Sequence, residues 1–198
     1  MTAPYSVRAL AGPDYPQAGV LLSRRWAHEA KRGRPVDQSR DAAVIRPLRT
    51  GDHSHELHGL FDDGQLVAMW RLDSNGPGPG WSTPERAESS IRVLLVFTDP
   101  GHRSVGRLVS LWLADHFARA SRPPVWLRCS TPNARLAAHV AATWGWEEVR
   151  QTGSFHLLQL PPGIKPQLNL LITEQEAGAS AGGSTRRPAL ARTDHSWC

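Results

Sequence analysis

The spacing of apolar residues along the chain predicts a mixed order of strands and helices. Tyr5 to Leu10 reads as a short strand, closed by the turn-like Ala11-Gly12-Pro13-Asp14. From Pro16 to Lys31, Val20, Leu21, Leu22, Trp26 and Ala27 follow a helical rather than an alternating pattern, and Gly33 and Pro35 end the run. Val36 to Arg49 fits a second short helix. From His55 to Asp73, two apolar runs flank Asp62-Asp63-Gly64-Gln65, whose Asp-Gly step suits a tight hairpin turn. Ser74 to Glu88 is rich in Gly and Pro and reads as a loop. Ser90 to Thr98 is almost continuously apolar, as a strand buried on both faces should be, and Asp99-Pro100-Gly101 breaks it. From Ser104 onward Val105, Leu108, Val109, Trp112, Leu113, His116 and Phe117 share one helical face. Val125 to Cys129 is a strand, Asn133 to Trp144 a helix between Pro132 and Gly145, and Trp146 to Arg150 and Phe155 to Leu160 two further strands.

This order predicts an α/β fold with a mixed, mostly antiparallel central sheet flanked by helices. Residues 1–163 form the domain. Residues 164–198 form a basic tail without apolar periodicity, expected to be disordered, with Leu168 to Ile172 folding back. A chain of 198 residues with 40% apolar and 21% charged residues can bury one real core. Its eight tryptophans read first as core and rim packing. The two cysteines, Cys129 and Cys198, make no disulfide framework and no metal-ligand spacing, which fits a reducing, cytoplasmic compartment. No basic and apolar leader follows Met1, and no run of about 18 apolar residues could cross a membrane.

The net charge of +5 admits nucleic acid, an anionic surface or a phosphorylated small molecule as partner. The arginines are scattered, which weighs against nucleic acid; a basic tail that binds it would do so with strong salt dependence. His53, His55 and His58 lack a carboxylate or Cys partner in register and read as polar loop residues, so no metal is expected.

The informative junction is the strand Ser90–Thr98, the loop Asp99–Arg103 and the helix opening at Ser104. A helix start carries unpaired N–H groups and the positive end of the helix dipole, which together favour an anion. Gly106 lets a phosphate approach the backbone, although a glycine there also serves as a plain turn. His102, Arg103 and Arg107 add charge.

With these residues the chain resembles the GNAT superfamily of acyl-CoA-dependent N-acyltransferases. Its motif Q/R-x-x-G-x-G/A falls on Gly101, His102, Arg103, Ser104, Val105 and Gly106, where only Gly106 keeps the type; Gly101 replaces Gln/Arg and Ser104 the first glycine. Asn133 falls where the family has an Asn facing the pantetheine arm, and Gly145-Trp146 where it has Gly-Phe. The resemblance covers Tyr5 to Leu160. It implies a splayed central strand pair, with acetyl-CoA or another acyl-CoA as co-substrate lying along backbone groups of Leu94 and Val96, and no metal. It implies transfer of a short acyl group to the amine of a small molecule or protein, or a catalytically inactive acyl-CoA-binding or regulatory module on the same fold. The family's tyrosine acid is missing, which leaves His139 as the protic residue of that helix. Glu29, with its neighbour His28, and Glu88 are the carboxylate bases to consider, and Trp26 and Arg92 the acceptor contacts. Arg92 suits a substrate carboxylate or phosphate. A small-molecule amine is the expected partner, and a homodimer stays open.

Overall fold

The computed structural model describes residues 3–50 and 57–175. His53 and His55 of the histidine group, the first residues of the hairpin, and the tail from residue 176, with Cys198, lie outside the described residues.

The strands are β1 (Tyr5–Ala9), β2 (Leu57–Asp62), β3 (Gln65–Asp73), β4 (Ser90–Thr98), β5 (Trp126–Thr131), β6 (Glu147–Thr152), β7 (Phe155–Leu160) and β8 (Ile172–Glu174). The helices are α1 (Tyr15–Lys31), α2 (Gln38–Thr50), α3 (Thr83–Ala87), α4 (Val105–Ala118) and α5 (Ala134–Trp144). One sheet runs β6-β7-β5-β4-β3-β2-β1-β8, antiparallel except for the pairs β4–β5 and β1–β8. The mixed, mostly antiparallel sheet read from the sequence is therefore present. Beyond residue 163 the chain rejoins this sheet: β8 lies parallel to β1, and Glu174 accepts the Trp112 indole N–H at 2.9 Å.

Helices cover both faces. On one, Leu21 and Leu22 of α1 and Val44, Ile45 and Leu48 of α2 pack with Leu57, Phe61, Met69 and Phe97. On the other, Val105, Val109, Trp112 and Leu113 of α4 and Ala137 and Val140 of α5 pack with Leu60, Val67, Trp70 and Val93. Strands β2 and β3 are covered on both sides, which is why their sequences run apolar without clean alternation.

The segment expected to be loop holds α3. Its start is a capping box: the Glu85 carboxylate accepts the Ser82 N–H and hydroxyl, both at 2.6 Å, and Pro84 stands in the first turn. The helix is strapped onto the sheet from below. Arg128 of β5, fully buried, donates to the Glu85 carbonyl and the Glu88 carboxylate, and its guanidinium lies 4.5 Å from the centre of the Trp81 ring. Arg150 of β6 holds the Glu85 carboxylate. A buried guanidinium needs such partners, because removing one and leaving the charge unpaired costs about 3–5 kcal/mol.

The strap should weaken in acid. Hydrogen bonding from Arg150, then from Ser82, holds the Glu85 carboxyl at about 2 against an ordinary 4.5. A carboxyl depressed by folding stabilises above its unfolded value and loses that contribution as pH falls through the folded one. Glu85→Gln should therefore unfold at lower urea than the parent near neutral pH, with the gap closing between pH 4.5 and about 2. Urea midpoints across that range check it; a gap independent of pH would refute it.

Candidate active site

Strand β4 is irregular at its centre. Leu94 stands opposite Arg71 and Phe97 opposite Met69, so Leu95 and Val96 together oppose the single Trp70. Leu95 takes a φ of 51°, the left-handed region. This is a β-bulge, which bends the strand and re-aims its edge. Toward β5 the consequence is direct. Only Ser90, Ile91 and Arg92 pair with β5, opposite Trp126, Leu127 and Arg128, and from Val93 onward the two strands part. A cleft of about 920 Å³ fills the parting, and Leu94 and Val96 line it as expected. It reaches both faces of the sheet, because Val109, Ser110 and Leu113 of α4 line it together with Arg25 of α1 and Arg40 and Asp41 of α2.

At the far end of β4 the loop into α4 is built around Asp99. Its N–H donates to the Val67 carbonyl at 2.8 Å, and its carboxylate accepts the Gly101 N–H at 2.8 Å and the Arg24 guanidinium at 2.7 Å. Burial alone would raise this carboxyl; the Gly101 N–H and Arg24 outweigh it and hold it below the usual range. His102 lies between Asp99 and Asp62, at 3.7 and 3.6 Å, so it braces the loop and does not point to open solvent. Ser104 takes the left-handed conformation, φ 68°, at the helix start. The first turn of α4 precedes its first main-chain bond, Leu108 N–H to Ser104 C=O at 3.1 Å, which leaves the Val105, Gly106 and Arg107 amides at a free helix end. Arg103 and Arg107 are exposed beside it and make no hydrogen bond or ion pair with described residues.

Gly106 corrects one expectation. A Cβ on it would lie 2.3 Å from Cη2 of Trp144, so the space is taken by the indole and is not left open for a phosphate. Trp144 belongs to the cleft wall. Behind it Trp146 donates its indole N–H to Ser110 at 3.0 Å, and Ser110 donates to the Gly106 carbonyl at 3.2 Å, tying α4 to the Gly145-Trp146 step. Asn133 also has a different task. It caps α5, its side-chain oxygen accepting the Leu136 N–H at 3.0 Å, and it does not line the cleft.

No family model and no curated protein matches the sequence. Solved structures do match. A GNAT-family acetyltransferase from Listeria monocytogenes superposes with a TM-score of 0.59 at 13% identity, over 81% of this chain and 98% of that one. An acetyltransferase from Thermus thermophilus reaches 0.55 at 17% identity, over 81% and 97%. PaiA N-acetyltransferase from Thermoplasma acidophilum, in complex with coenzyme A, reaches 0.54 at 12% identity, over 79% and 98%. The chain has the GNAT fold.

Within this GNAT fold the acid and base residues read from the sequence fall outside the cleft. Glu29 is held by Arg34 at 3.0 Å and Arg25 at 3.8 Å on α1. Glu88 is committed to Arg128. His139 is exposed on α5, its ring edge-on to Trp144 at 5.4 Å, and His28 does not line the cleft either. Trp26 faces a separate hollow between α1 and α2, while its indole N–H donates to Asp41 at 2.9 Å. Arg92 does line the cleft, its guanidinium laid over Gly78, whose φ of 83° and missing Cβ make the room.

The charged and thiol-bearing residues of the cleft that sequence reasoning passed over are Arg25, Arg40, Asp41 and Cys129. Asp41 is the sole carboxylate lining it among the described residues. Burial pushes the Cys129 thiol up to about 12, which makes it a neutral thiol and no nucleophile. Among the described residues no group of three or more His, Cys, Asp or Glu is placed to hold a metal, and no helix is long and apolar enough to cross a membrane.

The Gly106–Trp144 contact has a measurable consequence. Gly106→Ala should cost about 1–3 kcal/mol through overpacking, and Trp144→Leu in the same chain should recover most of that loss. Chemical denaturation of the single and double variants checks it; a Gly106→Ala variant as stable as the parent would refute the contact.

Proposed function

We propose that the protein is an N-acyltransferase that moves an acetyl or other short acyl group from acyl-CoA to an amine. The observation that carries this reading is the parting of β4 and β5 at the Leu95 bulge, beside a cleft that runs toward the free first turn of α4. The residues there fit a CoA. Its diphosphate would meet the amides at the start of α4, with Arg103 and Arg107 free to neutralise it. Because Trp144 covers Gly106, the diphosphate would rest against those amides and the Ser104 turn. The pantetheine arm would lie along the open edge of β4, where main-chain groups from Val93 onward have no partner on the β5 side. An N–H near Val96 would then stabilise the oxyanion formed when the amine attacks the thioester. The chemistry needs no covalent enzyme intermediate, which agrees with a cleft whose one thiol stays protonated.

One observation favours a second reading, a GNAT-fold module that binds acyl-CoA without transferring it. None of Glu29, Glu88 and His139 lines the cleft, so no predicted acid or base faces the thioester position.

Acetyl-CoA should raise the melting temperature, since a ligand that binds only the folded state must stabilise it. Arg103→Ala with Arg107→Ala should shrink the shift and weaken CoA binding on the order of tenfold to a hundredfold. Thiol release with a panel of amines then separates the two readings. A melting temperature indifferent to acetyl-CoA at millimolar concentration would remove both.

A further inference from the structure

The two ends of the cleft differ in chemistry. On the α4–α5 face it is lined by Val109, Ser110, Leu113, Cys129 and Val140, with no charged side chain. Every charged residue lining it comes from the other half: Arg25 from α1, Arg40 and Asp41 from α2, and Arg92 from β4. An acyl-CoA entering over the α4 helix start leaves this second, charged mouth for the acceptor.

Three arginines there face one carboxylate, and their engagements are unequal. Arg25 is turned to the Thr98 hydroxyl at 3.3 Å and toward Glu29. Arg40 is exposed; its backbone N–H donates to Asp37 at 2.9 Å, while its guanidinium has no hydrogen bond or ion pair among the described residues. Arg92 meets its nearest carboxylate, Asp73, only at 4.0 Å, and its guanidinium occupies the space a Gly78 side chain would fill. Asp41, in turn, is fixed by the Trp26 indole N–H on one oxygen, and no hydrogen bond occupies the other. A carboxylate so oriented suits an ammonium, and the free Arg40 guanidinium with the loosely paired one of Arg92 suits an anion.

We propose that the acceptor is a small amine that also carries an anionic group, a carboxylate or a phosphate ester. Asp41 receives its ammonium, and Arg40 and Arg92 receive its anion. The inference rests on the acyltransferase reading above and specifies its acceptor. A neutral or purely cationic amine would leave the Arg40 and Arg92 guanidinium groups without the anion, so the site discriminates by charge as well as by shape.

The test measures acetyl-CoA-dependent thiol release with the standard amino acids, their carboxamides, and aminoalkyl phosphates beside the corresponding amino alcohols. Amines bearing the anion should be preferred in kcat/KM on the order of tenfold or more over their neutral partners, and the amino acid and phosphate arms tell which anion is used. Arg92→Gln and Arg40→Gln should raise KM for the anionic amine while the acetyl-CoA thermal shift stays unchanged. Asp41→Asn should weaken equilibrium binding of the same amine to the CoA-loaded protein, and comparison with Trp26→Phe, which keeps the carboxylate but frees it, separates charge from positioning. Equal or better turnover of the neutral partners, or an acetyl-CoA shift with no release from any anionic amine, overturns the proposal and leaves the acyl-CoA reading standing. Loss of the acetyl-CoA shift in the parent protein overturns that reading itself.

Discussion

The structure depends on a backbone constraint at one residue. Leu95 occupies the left-handed region, which costs a non-glycine side chain about 1–3 kcal/mol and persists only where the surroundings over-determine it. They do so here through packing. Leu95 lies against the α1–α2 core, Phe97 beyond it is buried in the same core, and Val93 before it is buried on the opposite face. An apolar residue on each side of the bulge is thus fixed to a different layer, and the extra residue between them cannot be absorbed into regular pleat. Because β3 keeps its bonds to β4 on both sides of the bulge, the strain is relieved along the other edge. That edge is the one facing β5, and it is where the sheet opens.

The helix start at α4 is tuned by a second local constraint. Asp99 joins the end of β4 to α1 through Arg24 and shapes the turn through the Gly101 amide, so the free amides of α4 are presented at a set angle to the open strand edge. Two of the small-residue positions of the resembled motif then behave differently. Ser104 keeps the left-handed backbone that a glycine would adopt without strain, so the turn survives the substitution. Gly106 keeps its residue type and changes its use, since the space above it holds Trp144. Residue type and backbone geometry are separable, and at this site geometry is what Ser104 retained.

Much of the fold could be read from the chain because its signals are local or periodic. The strand and helix order, the Asp-Gly hairpin and the break at Asp99-Pro100-Gly101 all appear where they were expected. The α3 helix was hidden by composition: Gly and Pro crowd the segment, yet Ser82-Thr83-Pro84-Glu85 carries the capping-box spacing that announces a helix start. The site was legible only along β4, where Leu94 and Val96, named from the resemblance, and Arg92 on the same strand all line the cleft. Glu29, Glu88 and His139 were chosen by residue type near the right elements, and their engagements with Arg34, Arg128 and the Trp144 ring are long-range or surface contacts that no spacing encodes. Asp41 escaped notice for the same reason. Its placement depends on how α2 packs across α1, through a bond to Trp26 fifteen positions away.

A sheet that opens at one place has one passage between its faces, and the distribution of charge follows from that. The α4–α5 half of the passage is apolar and holds its single thiol protonated, so main-chain N–H groups on β4 there would, under the proposed chemistry, sit in a low-dielectric setting where they are worth far more than in water. Charges in that half would be costly to bury and would compete with those amides for an oxyanion. The α1–α2 half opens to solvent, where Arg40 stands exposed and Arg25 and Arg92 are only partly covered and loosely paired, so charge can be kept there at small cost. Separation of an uncharged end from a charged mouth therefore needs no extra domain or lid. It is the direct result of placing a bulge in β4 between two helix layers of different composition.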